Sequence, residues 1–369
     1  AGTRSCPKIP LGVYFAAMTA KPSTPGSAAP TAADEKHAVA PVGKPDAPAT
    51  PDAPATRPTL MDKLRVTPLP LFATVMGTGG LSMAWRRAHE TLGTPSFIAD
   101  ALFWFAAAVY VALLVAYGVR ISNRERLLED LRHPMKITFL TAITVSLVIL
   151  ATAGRPVLPG ALVDGMWWVG AVGHLAGMLL TMRMWINPRI TLDHVTAAWF
   201  IPVVGNVLVP LAGVPLGHPR MSAFSFSIGI IMWLGILPIV LLRLFVHKSM
   251  PPKFLPTVLI LVAPPAVGSV SALTLFGDLD NPSLVGGALL STAGAFLMLA
   301  LTMLPEITKL PFNIPHWAMS FPLAAMAAAT LLFSDAVGIL FLAVSSILIA
   351  WLWGMTIAAI AKGGIFVKE

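Results

Sequence analysis

The sequence predicts an all-α integral membrane protein of ten transmembrane helices paired as five helical hairpins. Three observations carry this: an apolar composition, a succession of membrane-length apolar runs, and a one-sided distribution of the basic residues between them. Of 369 residues, 56% are apolar and 11% are charged, and the mean hydropathy is +0.78. Soluble domains average roughly 45–50% apolar and 25% charged residues. A water-facing surface needs charge throughout, whereas a lipid-facing one needs it only in loops and at mouths. Here the charges cluster between apolar runs. The formal net charge of +8 does not indicate nucleic acid, because the basic residues flank those runs and form no stripe with interleaved aromatics. Cys6 is the only cysteine, which excludes an internal disulfide and any cysteine-based metal cluster.

Residues 1–60 are rich in Ala, Pro, Thr and Ser, contain the near-repeats KPDAPAT and PDAPAT, and have no apolar period, so a disordered tail is expected there. The run from Leu11 to Ala20 is too short to span a bilayer and is edged by Pro10; Met18 is a candidate start residue. Residues 61–369 form the membrane domain. Apolar segments lie at about 68–85, 97–119, 134–153, 158–182, 193–213, 221–246, 254–276, 283–304, 314–333 and 337–361. Each is long enough to cross a hydrocarbon core of roughly 30 Å at about 1.5 Å per residue. With ten crossings, fifteen Lys and Arg residues near the spans fall on one side, and only Arg86, Arg87, Arg155 and Arg220 on the other. That excess assigns the fifteen, and both termini, to the cytoplasm.

The odd spans differ in kind from the even ones. The fifth, seventh and ninth carry Pro202 and Pro210, Pro264 and Pro265, and Pro322, whereas Pro238 is the single proline inside an even span. Proline removes a backbone donor and bends a helix, which is tolerated at membrane depth where the break is buried or lines a cavity. The odd spans also share a basic or proline-containing lead-in: LRVTPLP, LRHPMK, LDHVTAAWFIP, PPKFLP and KLPFNIP. This reads as a repeated helix pair, with one helix facing a central axis and the other facing lipid.

The odd spans are rich in small and hydroxyl residues, which permit close packing and leave room along an axis. Candidate lining or kink positions are Gly77, Gly80, Thr141, Pro202, Asn206, Pro264, Pro265, Ser269 and Pro322. The expected lining is narrow and apolar, dotted with hydroxyls and the Asn206 amide. No Lys, Arg, Asp or Glu lies mid-way along an odd span, which argues against a strongly proton-coupled carrier. Anions are expected to be favoured instead by backbone dipoles at helix breaks and by basic residues at the cytoplasmic mouth. His174, in an even span, reads as a hydrogen-bonded structural residue. His194 and His316 lie at the cytoplasmic ends of the fifth and ninth spans, where a mouth role and interfacial packing are both open. Trp167, Trp168 and Trp185 read as interfacial belt residues. No HExxH, GxSxG, Walker loop or metal-spaced Cys or His pair occurs, so neither an enzyme nor a cofactor is expected.

The layout, together with APPAVGSVSA (263–272), WFIPVVGN (199–206), WAMSFPLAA (317–325) and the terminal KGGIFVKE, resembles the tellurite-resistance/dicarboxylate transporter (TDT) family, that of bacterial TehA and the plant slow anion channel. The similarity runs from about Leu64 to Glu369. It implies a quasi-fivefold bundle with the odd helices around a pore, assembled as a homotrimer in the membrane lipid, here a bacterial inner membrane. It also implies a phenylalanine that occludes the pore, and the matching position is Phe321, before Pro322. The implied cargo is a small anion, chloride or nitrate through a channel, or alternatively a C4-dicarboxylate such as malate through a carrier, with tellurite resistance as a linked phenotype.

Overall fold

Prolines and glycines cut the apolar chain into helices that alternate between buried and exposed. The computed structural model describes residues 61, 64, 66–186, 190–277, 279 and 282–363, within a unit spanning Arg57–Glu369. The predicted tail, Lys63, Arg65, Arg189 and residues 364–369 lie outside the described residues. Among the described residues there is no strand.

The first hairpin is α1 (Phe72–Leu92) and α2 (Ser96–Ile121), followed by the short polar α3 (Arg124–Arg132). The second is α4 (Lys136–Gly154) and α5 (Gly160–Trp185). The third opens with a 3₁₀ turn at Ala197–Phe200, continues as α6 (Ile201–Leu208) and α7 (Pro210–Gly213), and returns through α8 (Pro219–Val246). The fourth has an 11-residue 3₁₀ lead-in, Pro252–Val262, then α9 (Ala263–Phe276) and α10 (Leu284–Leu301). After the one-turn α11 (Leu304–Ile307), the fifth has a 3₁₀ lead-in at Ile314–Met319, then α12 (Ser320–Thr330) and α13 (Asp335–Ala361).

Seven helical segments are long and apolar enough to cross a membrane: α2, α4, α5, α8, α10, α13 and the continuous Pro252–Phe276. Helical segments also fill the other three predicted spans, but for separate reasons they fail that test. The end of α1 carries Arg86, Arg87 and Glu90, while the fifth span, Ala197–Gly213, is too short, and the ninth consists of a 6-residue 3₁₀ lead-in and the 11-residue α12.

The prolines explain those breaks. Pro202 is the second residue of α6, Pro264 and Pro265 the second and third of α9, Pro322 the third of α12, and Pro210 the first of α7. In a first turn the missing N–H has no intrahelical partner to lose. The prolines expected to kink continuous helices therefore mark where a 3₁₀ lead-in hands over to α-helix. Pro238 lies inside the unbroken α8, and Pro256 inside the 3₁₀ lead-in Pro252–Val262.

The inner helices α1, α4, α6, α9 and α12 each pack on the next, and α12 returns to α1. This closes a five-membered ring, with α2, α5, α8, α10 and α13 each packed against its own inner partner. Burial follows the same division. The most apolar window is 67% buried in α4 and 89% in Pro252–Phe276, against 22% to 33% in the five outer helices. What the outer helices expose is apolar, including Val169, Ile231 and Ile347, a surface that only lipid solvates without penalty.

Trp167 departs from its expected belt position. It is fully buried and donates its indole N–H to the Val209 carbonyl at 2.9 Å, tying α5 to the α6–α7 break. Trp185 stacks on Trp199 with centroids 4.1 Å apart. At the α2–α4 turn, Asn123 caps α3 by accepting from the Glu125 N–H. Buried Asp130 accepts two hydrogen bonds from Arg120, at 2.8 and 3.1 Å.

Candidate pore

Along the axis of the ring lie two adjoining cavities. The wider, about 220 Å³, is lined by Met83, Arg86, Arg87 and Glu90 of α1, Thr152 and Ala153 of α4 with Arg155 and Pro156 beyond it, Leu211, Val270 and Thr274 of α9, and Ala328 of α12. All five inner segments contribute, each from its C-terminal part, so they run parallel and end around one chamber. The narrower cavity, about 30 Å³, shares Met83, Leu211, Val270 and Ala328 with the chamber and adds Gly80, Leu208, Val267, Phe321, Ala324 and Ala325. This neck has no charged or hydroxyl side chain in its lining.

Phe321 is the second residue of α12 and is only 7% exposed. Its ring lies across α1 at Gly80, where a Cβ would stand 2.9 Å from the ring Cδ2 and 3.4 Å from the Ala324 Cβ. Glycine at this position is what lets an aromatic ring lie against the α1 backbone. The neck thus carries Gly80, Val267, Leu208 and the phenyl ring together in its lining.

Of the residues singled out in the sequence, Phe321 and Gly80 meet at the neck. The others lie off it, for identifiable reasons. Gly77 lets α1 approach the Ser320 side chain. Thr141 donates to the Thr138 carbonyl at 2.7 Å, while its methyl packs where α5 has Gly177. Ser269 donates to the Gly286 carbonyl at 2.8 Å and joins α9 to α10. The fully buried Asn206 donates to Met178 Sδ and the Pro202 carbonyl, both at 3.3 Å. Pro202, Pro264, Pro265 and Pro322 are buried at the 3₁₀ to α junctions. The hydroxyls expected in the lining thus satisfy backbone carbonyls, as buried polar groups in an apolar medium must.

His174 is buried beside Gly205 and hydrogen-bonded to the Thr144 hydroxyl at 3.0 Å, a structural role. His194 and His316 each close a capping box, with Thr191 and Asn313 respectively, at the start of an inner segment.

The residues that sequence reasoning missed are Met83, Leu208, Leu211, Val267, Val270, Ala324, Ala325 and Ala328. A helical period starting from Phe321 and Gly80 finds half of them, with 321, 324, 325 and 328 on α12 and 80, 83, 87 and 90 on α1. Arg86, Arg87 and Arg155 entered the sequence reading only as topology markers, yet they line the chamber. Arg86 is paired with Asp100, and Arg87 with Glu90 at 2.7 Å. At the rim, partial burial and the neighbouring Arg87 lower the proton affinity of the Arg155 guanidinium, while Glu90 pulls the other way.

Comparison with known proteins agrees with this architecture. The SLAC1 family, described as voltage-dependent anion channels, matches residues 67–362. An uncharacterized transporter of Methanocaldococcus jannaschii is 28% identical over 282 residues, covering 70% of this chain and 81% of that protein. The S-type anion channel SLAH2 of Arabidopsis thaliana is 23% identical over 279 residues, 73% of this chain and 53% of the plant protein. The sulfite efflux pump SSU1 of Arthroderma otae is 25% identical over 232 residues, 53% of this chain and 61% of the fungal one. These relatives are membrane channels and transporters rather than enzymes, and the match covers the whole five-hairpin ring: the chain belongs to the SLAC1 family of anion-transporting membrane proteins.

Proposed function

We propose that this chain is a channel for small anions whose path runs through the five-helix ring and is closed at the neck by Phe321. The observation that carries the reading is the contact of the Phe321 ring with Gly80 in an otherwise aliphatic neck, at the end of a chamber that is basic and wide. An apolar neck offers a passing ion no tight site, which suits flow down a gradient. The absence of a lining charge in the neck disfavours coupling to protons. In this reading the chain makes ten crossings of a bacterial inner membrane, with both termini in the cytoplasm, and assembles as a homotrimer with one path per subunit. Chloride and nitrate are the first cargoes to test, and the name of the fungal relative adds sulfite.

The test is current across planar bilayers holding purified wild-type protein or Phe321→Ala, in asymmetric chloride, nitrate and malate. Large mutant currents reversing at the anion's equilibrium potential support the gated channel. Unchanged flux in a well-folded Phe321→Ala removes the gate. Silence in both, with saturable pH-dependent malate uptake into liposomes, replaces the channel with the dicarboxylate carrier.

A further inference from the structure

We propose that the chamber lined by Arg86, Arg87 and Arg155 is a binding site for a singly charged oxyanion, adjoining the neck. The proposal deepens the channel reading and rests on it for the path that joins the chamber to the neck. Three features of the chamber specify the ligand. The first is charge: Arg86 is matched by Asp100 and Arg87 by Glu90, whereas among the described residues Arg155 has no acidic partner at ion-pair distance. One positive charge is left over, which suits a monoanion better than a dicarboxylate.

The second is donor geometry. Three guanidinium groups around about 220 Å³ present planar forks of N–H donors, and those forks match two oxygens of one planar or pyramidal oxyanion better than a spherical halide. The Arg86 Nε is buried and has no hydrogen-bond partner, so an anion oxygen in the chamber is the kind of acceptor it lacks.

The third is the electrostatic setting. α1, α4, α9 and α12 end around the chamber, and helix C-termini carry partial negative charge that repels anions. Without the arginines, this mouth would turn anions away. Arg155 also stands near Arg87 in a partly buried position, a like-charge juxtaposition that a bound anion relieves.

The site is tested by thermal unfolding of the purified full chain in detergent, titrated with sodium nitrate, chloride or malate at constant ionic strength. A ligand that binds the folded state raises the melting temperature with saturation. The expected result is saturable stabilisation by nitrate, with a half-saturating concentration at least several-fold below that for chloride or malate. Arg155→Gln should raise the nitrate value at least tenfold. Arg155→Lys, which keeps the charge but loses the fork, should stay weakened for nitrate and near wild type for chloride. Glu90→Gln, which frees Arg87, should tighten nitrate. No preference for nitrate over chloride, or an unaltered nitrate response in Arg155→Gln, overturns the proposal. If Arg155→Gln does not fold, Glu90→Gln decides, since an unchanged nitrate value there also overturns it. Phe321→Ala should keep the nitrate response whatever its current, so failure of the gate and failure of this site are read separately.

Discussion

At Gly80 the missing Cβ makes room for the Phe321 ring, so the two positions form one unit. Gly80→Ala would put a methyl 2.9 Å from Cδ2 and 3.3 Å from Cε2 of that ring. Overpacking of this kind costs about 1–3 kcal/mol. The ring is the element able to give way, so Gly80→Ala is expected to destabilise the wild-type chain within that range and to raise its basal anion leak. In a Phe321→Ala background the added methyl keeps only its ordinary 3.4 Å contact with the Ala324 Cβ, and the stability cost should fall by more than half. A double-mutant cycle on melting and bilayer current checks this; additive costs would mean that ring and glycine do not meet in the working protein. Both residues were legible in the sequence for different reasons. Phe321 stood out through family resemblance, and Gly80 through its place in a small-residue run. The aliphatic residues completing the neck were not legible, because Leu208, Val267 and Val270 look the same whether they face an axis or a neighbour.

The elements show why the fold was more legible than the lining. A helix that is apolar on all sides has no amphipathic stripe to reveal its inward face, whereas proline, glycine and charge punctuate its ends strongly. The alternation of buried and exposed helices could therefore be read from proline and small-residue content, while the register of each inner helix could not. The 3₁₀ lead-ins were also hidden: Pro252–Val262 extends far beyond the three or four residues usual for such a helix, and no local sequence rule marks it. Loop chemistry is easier to argue. In the α2–α4 turn, Asp130 is fully buried against Arg120, itself only 11% exposed. Asp130→Asn strands that guanidinium and is expected to cost about 3 kcal/mol by denaturant or thermal unfolding. In the same turn, the Lys136 hydrogen bond holds the Glu129 carboxyl below its ordinary range. A carboxylate depressed in the folded state contributes stability above its unfolded pKa and loses it as pH falls through the folded value. Lys136→Met should flatten that acid-side decline in melting temperature by lowering the neutral plateau and not the acid limb, and the neutral loss includes the 3.7 Å ion pair of Lys136 with the buried Asp130.

For the whole molecule, the ring orders solvent from the axis outward: an apolar neck, packed inner helices, then outer helices whose free faces meet lipid. Two isoleucines two residues apart on α13 test that order from one backbone. Ile349 is 2% exposed and belongs to the cluster joining α13 to α1 and α12, whereas Ile347 is 71% exposed. If the outer face is solvated by hydrocarbon, trimming Ile347 to Ala removes contacts that lipid replaces, and stability in bilayers should change by less than about 0.5 kcal/mol. Ile349→Ala leaves a void that lipid cannot enter and should cost about 2–5 kcal/mol. Placing an arginine at 347 reverses the tolerance of that site, because a charge mid-way along a membrane helix costs about 2.5–3.5 kcal/mol on insertion scales. Ile347→Arg should therefore lower the membrane-inserted fraction, measured by alkaline extraction, while Ile347→Ala should not. An arginine accepted at 347 without loss of insertion would mean that this face of α13 meets water or a polar partner, and the hydrophobic ordering of the ring would have to be redrawn from that helix inward.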